Sequence, residues 1–268
     1  MSAHGHRTRS KLSLPNALRR LGLVSGCKLM LDPADAASFS GGQTWSDISG
    51  QGNDFYRGAS NIGGADDPTQ VGTNGDLAGT TYWSFDGGDF LTLASGSNPN
   101  WINSIHKSGG KCSIAAWVYV GTGSTNQAII GTNGDVSTNI GFSLRAGSTN
   151  KLNFNTRNGS AASINLSSSG SITAGAWTFC GLSFDEGAGA SGTAMVVNGV
   201  ASLHNGAATS PSAAAATYPA QIGSSGAGAS GMLTNNSRLG LLLAWDNVAL
   251  GANALLALFE ETRGRFSV

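Results

Sequence analysis

Fifteen carboxylates, four histidines and three cysteines carry most of the reactive chemistry available to this chain, and their spacing limits what they can do. Glycoside hydrolysis by retention needs two carboxyl groups about 5–5.5 Å apart. Only three glutamates occur: Glu186 follows Asp185, and Glu260 adjoins Glu261 in a helical pattern. No predicted strand carries alternating acids. Asp86 and Asp89 flank Gly87-Gly88, where carboxylates serve turns. His4 and His6 lie in a basic leader, and His106 and His204 stand apart from any nucleophile-and-acid set. GSSGAGASG (223–231) is glycine-rich but lacks the strand–turn–helix setting of a phosphate cradle. No catalytic residues are assigned, and the chain is expected not to be an enzyme.

Metal and redox chemistry are equally sparse. Cys27, Cys112 and Cys180 are too few and too scattered for a disulfide framework, and the last two sit in apolar strand patterns that suit buried thiols. Calcium takes six to eight oxygen ligands. Asp47, Asn53 and Asp54 are the candidate calcium ligands, with Asp86, Asp89 and Asp246 as further oxygens. These groups are dispersed, so a structural turn holding the first long loop is the preferred role. No other cofactor is expected.

The elements that would position these side chains are short. Glycine fills 40 of 268 positions, and 11% of residues are charged, against roughly 25% in ordinary soluble domains. Brief apolar runs between glycine-rich turns point to a β-sandwich or barrel. KLMLD (28–32), NDFYR (53–57), TYWSFD (81–86), DFLTL (89–93), CSIAAWVYV (112–120), QAIIGT (127–132), GFSLRA (141–146), KLNFNTR (151–157), ASINL (162–166), WTFCGLSFD (177–185) and SRLGLLLAWD (237–246) read as strands. Gly87-Gly88 reads as a hairpin turn, and Asn198-Gly199 in TAMVVNGV (193–200) as a stronger one. LPNALRRLGL (14–23) predicts one or two helical turns, with Pro15 in the first turn and Gly22 at the stop. Residues 99–107 suit a short helix. The one long helix is expected over 252–264, ending at Gly264.

Charge is unevenly spread. Arg7, Arg9, Lys11, Arg19, Arg20 and Lys28 all precede the first acid, Asp32, leaving nine bases against fifteen acids in residues 29–268, a net of −6. A basic N-terminal arm with its short helix (1–27) therefore precedes one domain (28–268). The arm suits docking on a partner protein better than nucleic acid, because its charge density is modest. Arg7, Arg9, Lys11, Arg19 and Arg20 are the expected partner contacts. No apolar run of roughly 18 residues would cross a membrane, and no signal-peptide pattern opens the chain.

Six segments carry a family resemblance. They are Trp45-Ser46-Asp47-Ile48-Ser49-Gly50-Gln51-Gly52-Asn53, FDGGDFLTL (85–93), IAAWVYV (114–120), Trp177-Thr178-Phe179 with Phe184-Asp185, MVVNGV (195–200), and LGLLLAWDNVALGANALLALFE (239–260). In this order they resemble the concanavalin A-like, laminin G-like jelly-roll superfamily over about residues 28–263, especially its microbial and phage members. The resemblance implies an antiparallel all-β jelly-roll sandwich with a C-terminal helix. Some members are glycoside hydrolases with a Glu-x-Asp-x-(x)-Glu strand, which this chain lacks. The resemblance leaves two functional expectations, because the fold hosts many activities. One is a virion structural protein of a tailed phage, a decoration, fibre or spike component. It would assemble in the host cytoplasm, be anchored by its arm to other virion proteins and form a homo-oligomer. The alternative is a carbohydrate-binding, lectin-like adhesion module for cell-surface glycans, with Trp83 and Trp101 as glycan-contact aromatics.

Overall fold

The computed structural model describes residues 12–97, 100–121, 126–134, 136–208, 210–226 and 231–268. Arg7, Arg9 and Lys11 lie outside the described residues. The chain opens with helix α1 (Leu14–Leu21), then strands β1 (Cys27–Leu31), β2 (Thr44–Trp45), β3 (Phe55–Arg57), β4 (Thr69–Val71), β5 (Tyr82–Phe85) and β6 (Leu91–Leu93). A 3-10 turn, Trp101–Asn103, leads to β7 (Lys111–Tyr119), β8 (Gln127–Gly131), β9 (Ile140–Ala146), β10 (Lys151–Asn158), β11 (Ala162–Ser171) and β12 (Trp177–Asp185). After a 3-10 segment, Glu186–Ser191, come β13 (Thr193–Val197), β14 (Val200–His204), β15 (Gln221–Ile222), β16 (Ser237–Asp246) and helix α2 (Gly251–Phe266).

Two antiparallel sheets form a sandwich. The first runs β14-β13-β12-β7-β16-β5-β4, with β1 also paired to β16; the second runs β11-β10-β9-β8-β15-β6-β3-β2. Alternation explains the interior. Cys180, Leu182 and Phe184 of β12 point toward the second sheet, where Phe184 meets Phe154 of β10 with ring centroids 5.1 Å apart. Trp45 is fully buried and packs edge-on against Trp83 at 5.6 Å, sealing the β2–β3 end. The three cysteines are buried thiols. Burial pushes the Cys27 thiol up to about 12 and raises Cys112 and Cys180 further.

A second apolar cluster lies outside the first sheet. Trp117 and Phe179 on that face meet Leu255, Leu258, Phe259 and Phe266 of α2. The Trp117 and Phe266 rings stack 4.5 Å apart, and Trp117 Nε1 donates to Thr262 Oγ1 at 2.8 Å. Leu14 and Leu18 of α1 join this cluster. Trp245 Nε1 donates to the Leu23 carbonyl at 2.7 Å, and Arg20 pairs with Glu261 of α2. The helix in the basic leader is thus a packed layer of the sandwich, continuous with the body across residue 28. Arg265 locks the far end of α2: its Nη1 and Nη2 donate to the fully buried Asp32 carboxylate at 2.6 and 2.5 Å.

The Asn198-Gly199 turn joins β13 and β14 with φ of 44° and 80°, both in the left-handed region that favours Asn-Gly. Gly87-Gly88 does not make a hairpin. β5 belongs to the first sheet and β6 to the second, so this turn carries the chain from one layer to the other. Helix α2 also continues through Gly264 and closes at Ser267, because burial of Phe266 outweighs the weak helix propensity of glycine.

Candidate functional site

The two sheets differ on their outer faces. On the second sheet the inward residues Phe142, Leu144, Leu152, Phe154 and Ile164 are core, so their neighbours in sequence point away from it. Register places these outward residues in one unbroken line. Asn165 of β11 faces Asn155 of β10, which faces Ser143 of β9, which faces Gly131 of β8. Gly131 faces Gln221 of β15, then Thr92 of β6, Tyr56 of β3 and Thr44 of β2. The line crosses all eight strands, with amides, hydroxyls and one phenol on seven of them and Gly131 on the other. No Asp or Glu occurs on any strand of this sheet.

Loops cover the centre of the line. A Cβ at Gly131 would sit 3.2 Å from Ser225 Cα, so this loop approaches the strand closely and leaves a side chain there little room. Gly134 N donates to the Ser225 carbonyl at 2.7 Å, and Asn133 Nδ2 donates to Asn155 Oδ1 at 2.8 Å. Ser143 and Asn155 are buried beneath, and Ser143 Oγ and Asn155 Nδ2 have no hydrogen-bond partner among the described residues. The two ends stay open. At one, Thr44, Tyr56 and Thr92 are half-buried, with Tyr56 Oη 3.2 Å from Ser95 Oγ. At the other, Asn165 and Ser167 are exposed beside Asn153. Such a surface can exchange hydrogen bonds with neutral hydroxyl-rich ligands and offers no carboxylate for proton transfer.

The residues expected from sequence fall elsewhere. Trp83 is fully buried and Trp101 is 4% exposed; both serve the inter-sheet core, so neither presents a ring to a glycan, which corrects that expectation. The candidate calcium residues form a turn. Asp47 Oδ1 accepts from Met30 N and Ser49 N, each at 2.9 Å, and Oδ2 accepts from Ser49 Oγ and Asn53 N at 2.7 and 3.1 Å. Asp54 Oδ1 accepts from Asp47 N, and Asn53 Nδ2 donates to the Lys28 carbonyl. Four donors already satisfy the Asp47 carboxylate, so these oxygens do not converge on an ion. Among the described residues no group of three His, Cys, Asp or Glu side chains is placed to hold a metal.

The remaining carboxylates are dispersed. Asp246 accepts from Ser104 Oγ at 2.7 Å, Asp185 pairs with Lys111 at 2.9 Å, and Glu186 accepts from Gly109 N. Asp86 N donates to Asp89 Oδ2 at 2.9 Å. Burial, with the Asp86 charge beside it, pushes the Asp89 carboxyl up to about 6. Arg19 donates to Asn16 and stays exposed on α1 beside Arg20.

The family model for the concanavalin A-like lectin/glucanases superfamily matches residues 85–235, more than half of the chain. The chain belongs to this superfamily. Its described architecture is a two-sheet jelly-roll sandwich with a C-terminal helix, and the sandwich fold is shared with its structural neighbours. A sialidase from Trypanosoma rangeli, solved with 2,3-difluorosialic acid as a covalent intermediate, superposes with a TM-score of 0.58 at 11% identity, covering 91% of this chain and 34% of that chain. This superfamily member thus spans about a third of the sialidase's length. Domain 4 of the extracellular arabinanase AbnA from Geobacillus stearothermophilus, in complex with arabinotriose, superposes with a TM-score of 0.56 at 16% identity, covering 87% of this chain and 97% of that one. The binding domain of botulinum neurotoxin serotype D gives 0.56 at 11% identity, covering 91% and 52%. These likenesses show the fold. No curated protein matches the sequence.

Proposed function

We propose that this chain is a non-catalytic glycan-recognition module, carried on a tailed-phage particle as a decoration, fibre or spike component. The observation that carries the glycan reading is the line from Thr44 to Asn165: uncharged hydrogen-bonding side chains across an outer sheet face, with no acid on its strands. Sugars are recognised by such groups together with an aromatic face, and Tyr56 supplies one at the open β3 end. The likeness to the arabinotriose-bound domain supports the same reading. The test is a glycan array probed with the full chain, followed by titration calorimetry on the strongest hit. Binding that weakens at least about fivefold in Tyr56→Ala or Asn165→Ala, a loss of roughly one hydrogen bond or contact, supports the reading. Binding untouched by both variants, or no binding at all, overturns it.

Particle display is favoured by surface chemistry. No charged residue occurs from 187 to 237, and charge-depleted surfaces suit packed assemblies. Arg19 of α1 and the basic residues preceding it would face other virion proteins. Quantitative mass spectrometry of purified particles tests this part: stoichiometric presence supports it, and absence sinks it.

A further inference from the structure

Among the described residues five strands have an unpaired side, and four carry features that discourage another strand from pairing. β1 is covered by the 47–53 turn, where Ile48 N donates to the Met30 carbonyl, Met30 N to Asp47 Oδ1 and Asn53 Nδ2 to the Lys28 carbonyl. β2 and β4 are two and three residues long, and β4 follows Asp66, Asp67 and Pro68 directly. β11 is long, but its register with β10 breaks twice, and Lys151 Nζ donates to the Ser169 carbonyl and Ser171 Oγ at its end. Short strands, charge, proline and bulges are the usual protections of sheet edges. β14 has none of them. Its five residues pair with β13 in unbroken register, and among the described residues it pairs with no other strand. It exposes Val200 at 50%, Leu203 at 61%, and Ala201 between them.

We infer that β14 is the self-association edge of this protein, and that its partner is β14 of a second copy. Charge selects this occupant. The edge lies within the charge-free stretch 187–237, and β11, which lies beside β14 at the side of the sandwich, is also uncharged. Such an edge offers no ion to steer or select an unlike charged partner, yet it meets itself without like-charge repulsion. Antiparallel pairing about a two-fold axis at Ser202 is self-complementary. It places Ala201 opposite Leu203 of the second copy, and Leu203 opposite the second copy's Ala201. Both apolar pairs lie on the outer face, where Leu203 is opposite Ala194 of β13. Main-chain groups on the free side of β14 gain partners, and the first sheet continues across the dimer. This edge is separate from the polar line on the other sheet, so it can fail while glycan binding stands, and the reverse.

Analytical ultracentrifugation of the full chain over a concentration series tests the inference. A reversible dimer is expected. Leu203→Lys should raise its dissociation constant by about tenfold or more, since it replaces the apolar pairs and brings two ammonium groups close together across the two-fold axis. Residue 203 is exposed in the single chain, so its melting temperature measured at dilution should hold. A second measurement fixes the register. The Ala201→Cys/Leu203→Cys double variant should form a disulfide-linked dimer on mild oxidation, while either single variant should not, because directly opposed residues on paired strands come within disulfide reach. A chain that stays monomeric at high concentration, a dimer indifferent to Leu203→Lys, or failure of the double variant to cross-link would each overturn the proposal.

Discussion

The outer face of the first sheet and the outer face of the second start from the same alternating backbone and end with opposite surfaces. On the first, β7, β12 and β16 are apolar on both faces, so Trp117, Phe179, Leu241 and Leu243 need a cover, and α1 and α2 supply it. On the second, outward positions are mostly Asn, Ser, Thr, Gln and Tyr, with Arg145, Lys151 and Arg157 beside them and no acid, and among the described residues no helix packs there. Covering one face turns it into core. Leaving the ends of the other face open, with only loops over its centre, makes those ends the surface where recognition can evolve without cost to stability. Perturbations should therefore separate: changes on the helix-covered face alter stability, and changes on the open face alter binding.

The largest stability effect is expected at the Asp32–Arg265 pair. Arg265→Ala leaves a buried, uncompensated carboxylate and frees the end of α2, at a cost of about 3–5 kcal/mol. Urea unfolding followed by tryptophan fluorescence would measure it. A loss under 1 kcal/mol would mean that α2 is held by its apolar contacts alone. Next comes Leu18→Ala, which opens a cavity under α1 and should cost about 2–4 kcal/mol. If that change proves silent, α1 is a loosely laid connector and not a layer of the sandwich. Neither variant should change glycan affinity in molecules that remain folded.

Much of this division was legible in the sequence. WTFCGLSFD and SRLGLLLAWD are apolar at consecutive positions, which marks strands buried on both sides, and both coincide with β12 and β16. NDFYR and KLNFNTR alternate, which marks strands with one wet face. Alternation alone does not say which strands are neighbours, so the line joining Tyr56 to Asn165 is invisible until register is known. The same gap explains the misread Gly87-Gly88 turn: two adjacent strands with a glycine turn look like a hairpin whether or not they share a sheet. Trp83 and Trp101 were misassigned because tryptophan serves cores and sugar platforms equally well, and only burial separates the two. Asp47 was ambiguous for a related reason, since a carboxylate satisfied by backbone amides and one awaiting a cation have the same local sequence.

A smaller effect belongs to the crossing between the two layers. Asp89 is 4% exposed, and burial beside Asp86 makes its folded carboxyl hold a proton more tightly than in the unfolded chain. Stability should then decline as pH rises from about 4 to about 6 and stay lowered above that. Asp89→Asn keeps an acceptor for Asp86 N without the charge. It should gain about 1–2 kcal/mol at pH 7.5 and nothing at pH 4. Thermal melts of both proteins across that range check the sign; a variant less stable at pH 7.5 would show that the carboxylate charge supports the turn.

The smallest stability effect, and the sharpest test of the division, is expected on the open face. Asn165 is exposed on the strand at the edge of the second sheet and opposes Asn155. Asn165→Ala removes polar surface that water already satisfies, so stability should change by less than about 0.5 kcal/mol. Glycan affinity should nevertheless fall, because a sugar hydroxyl that replaced water there loses its partner. Measuring both quantities on one sample decides the matter. A stability loss above 1 kcal/mol would make Asn165 part of the sandwich's support, and the contrast between the faces would then lie in packing density and not in function.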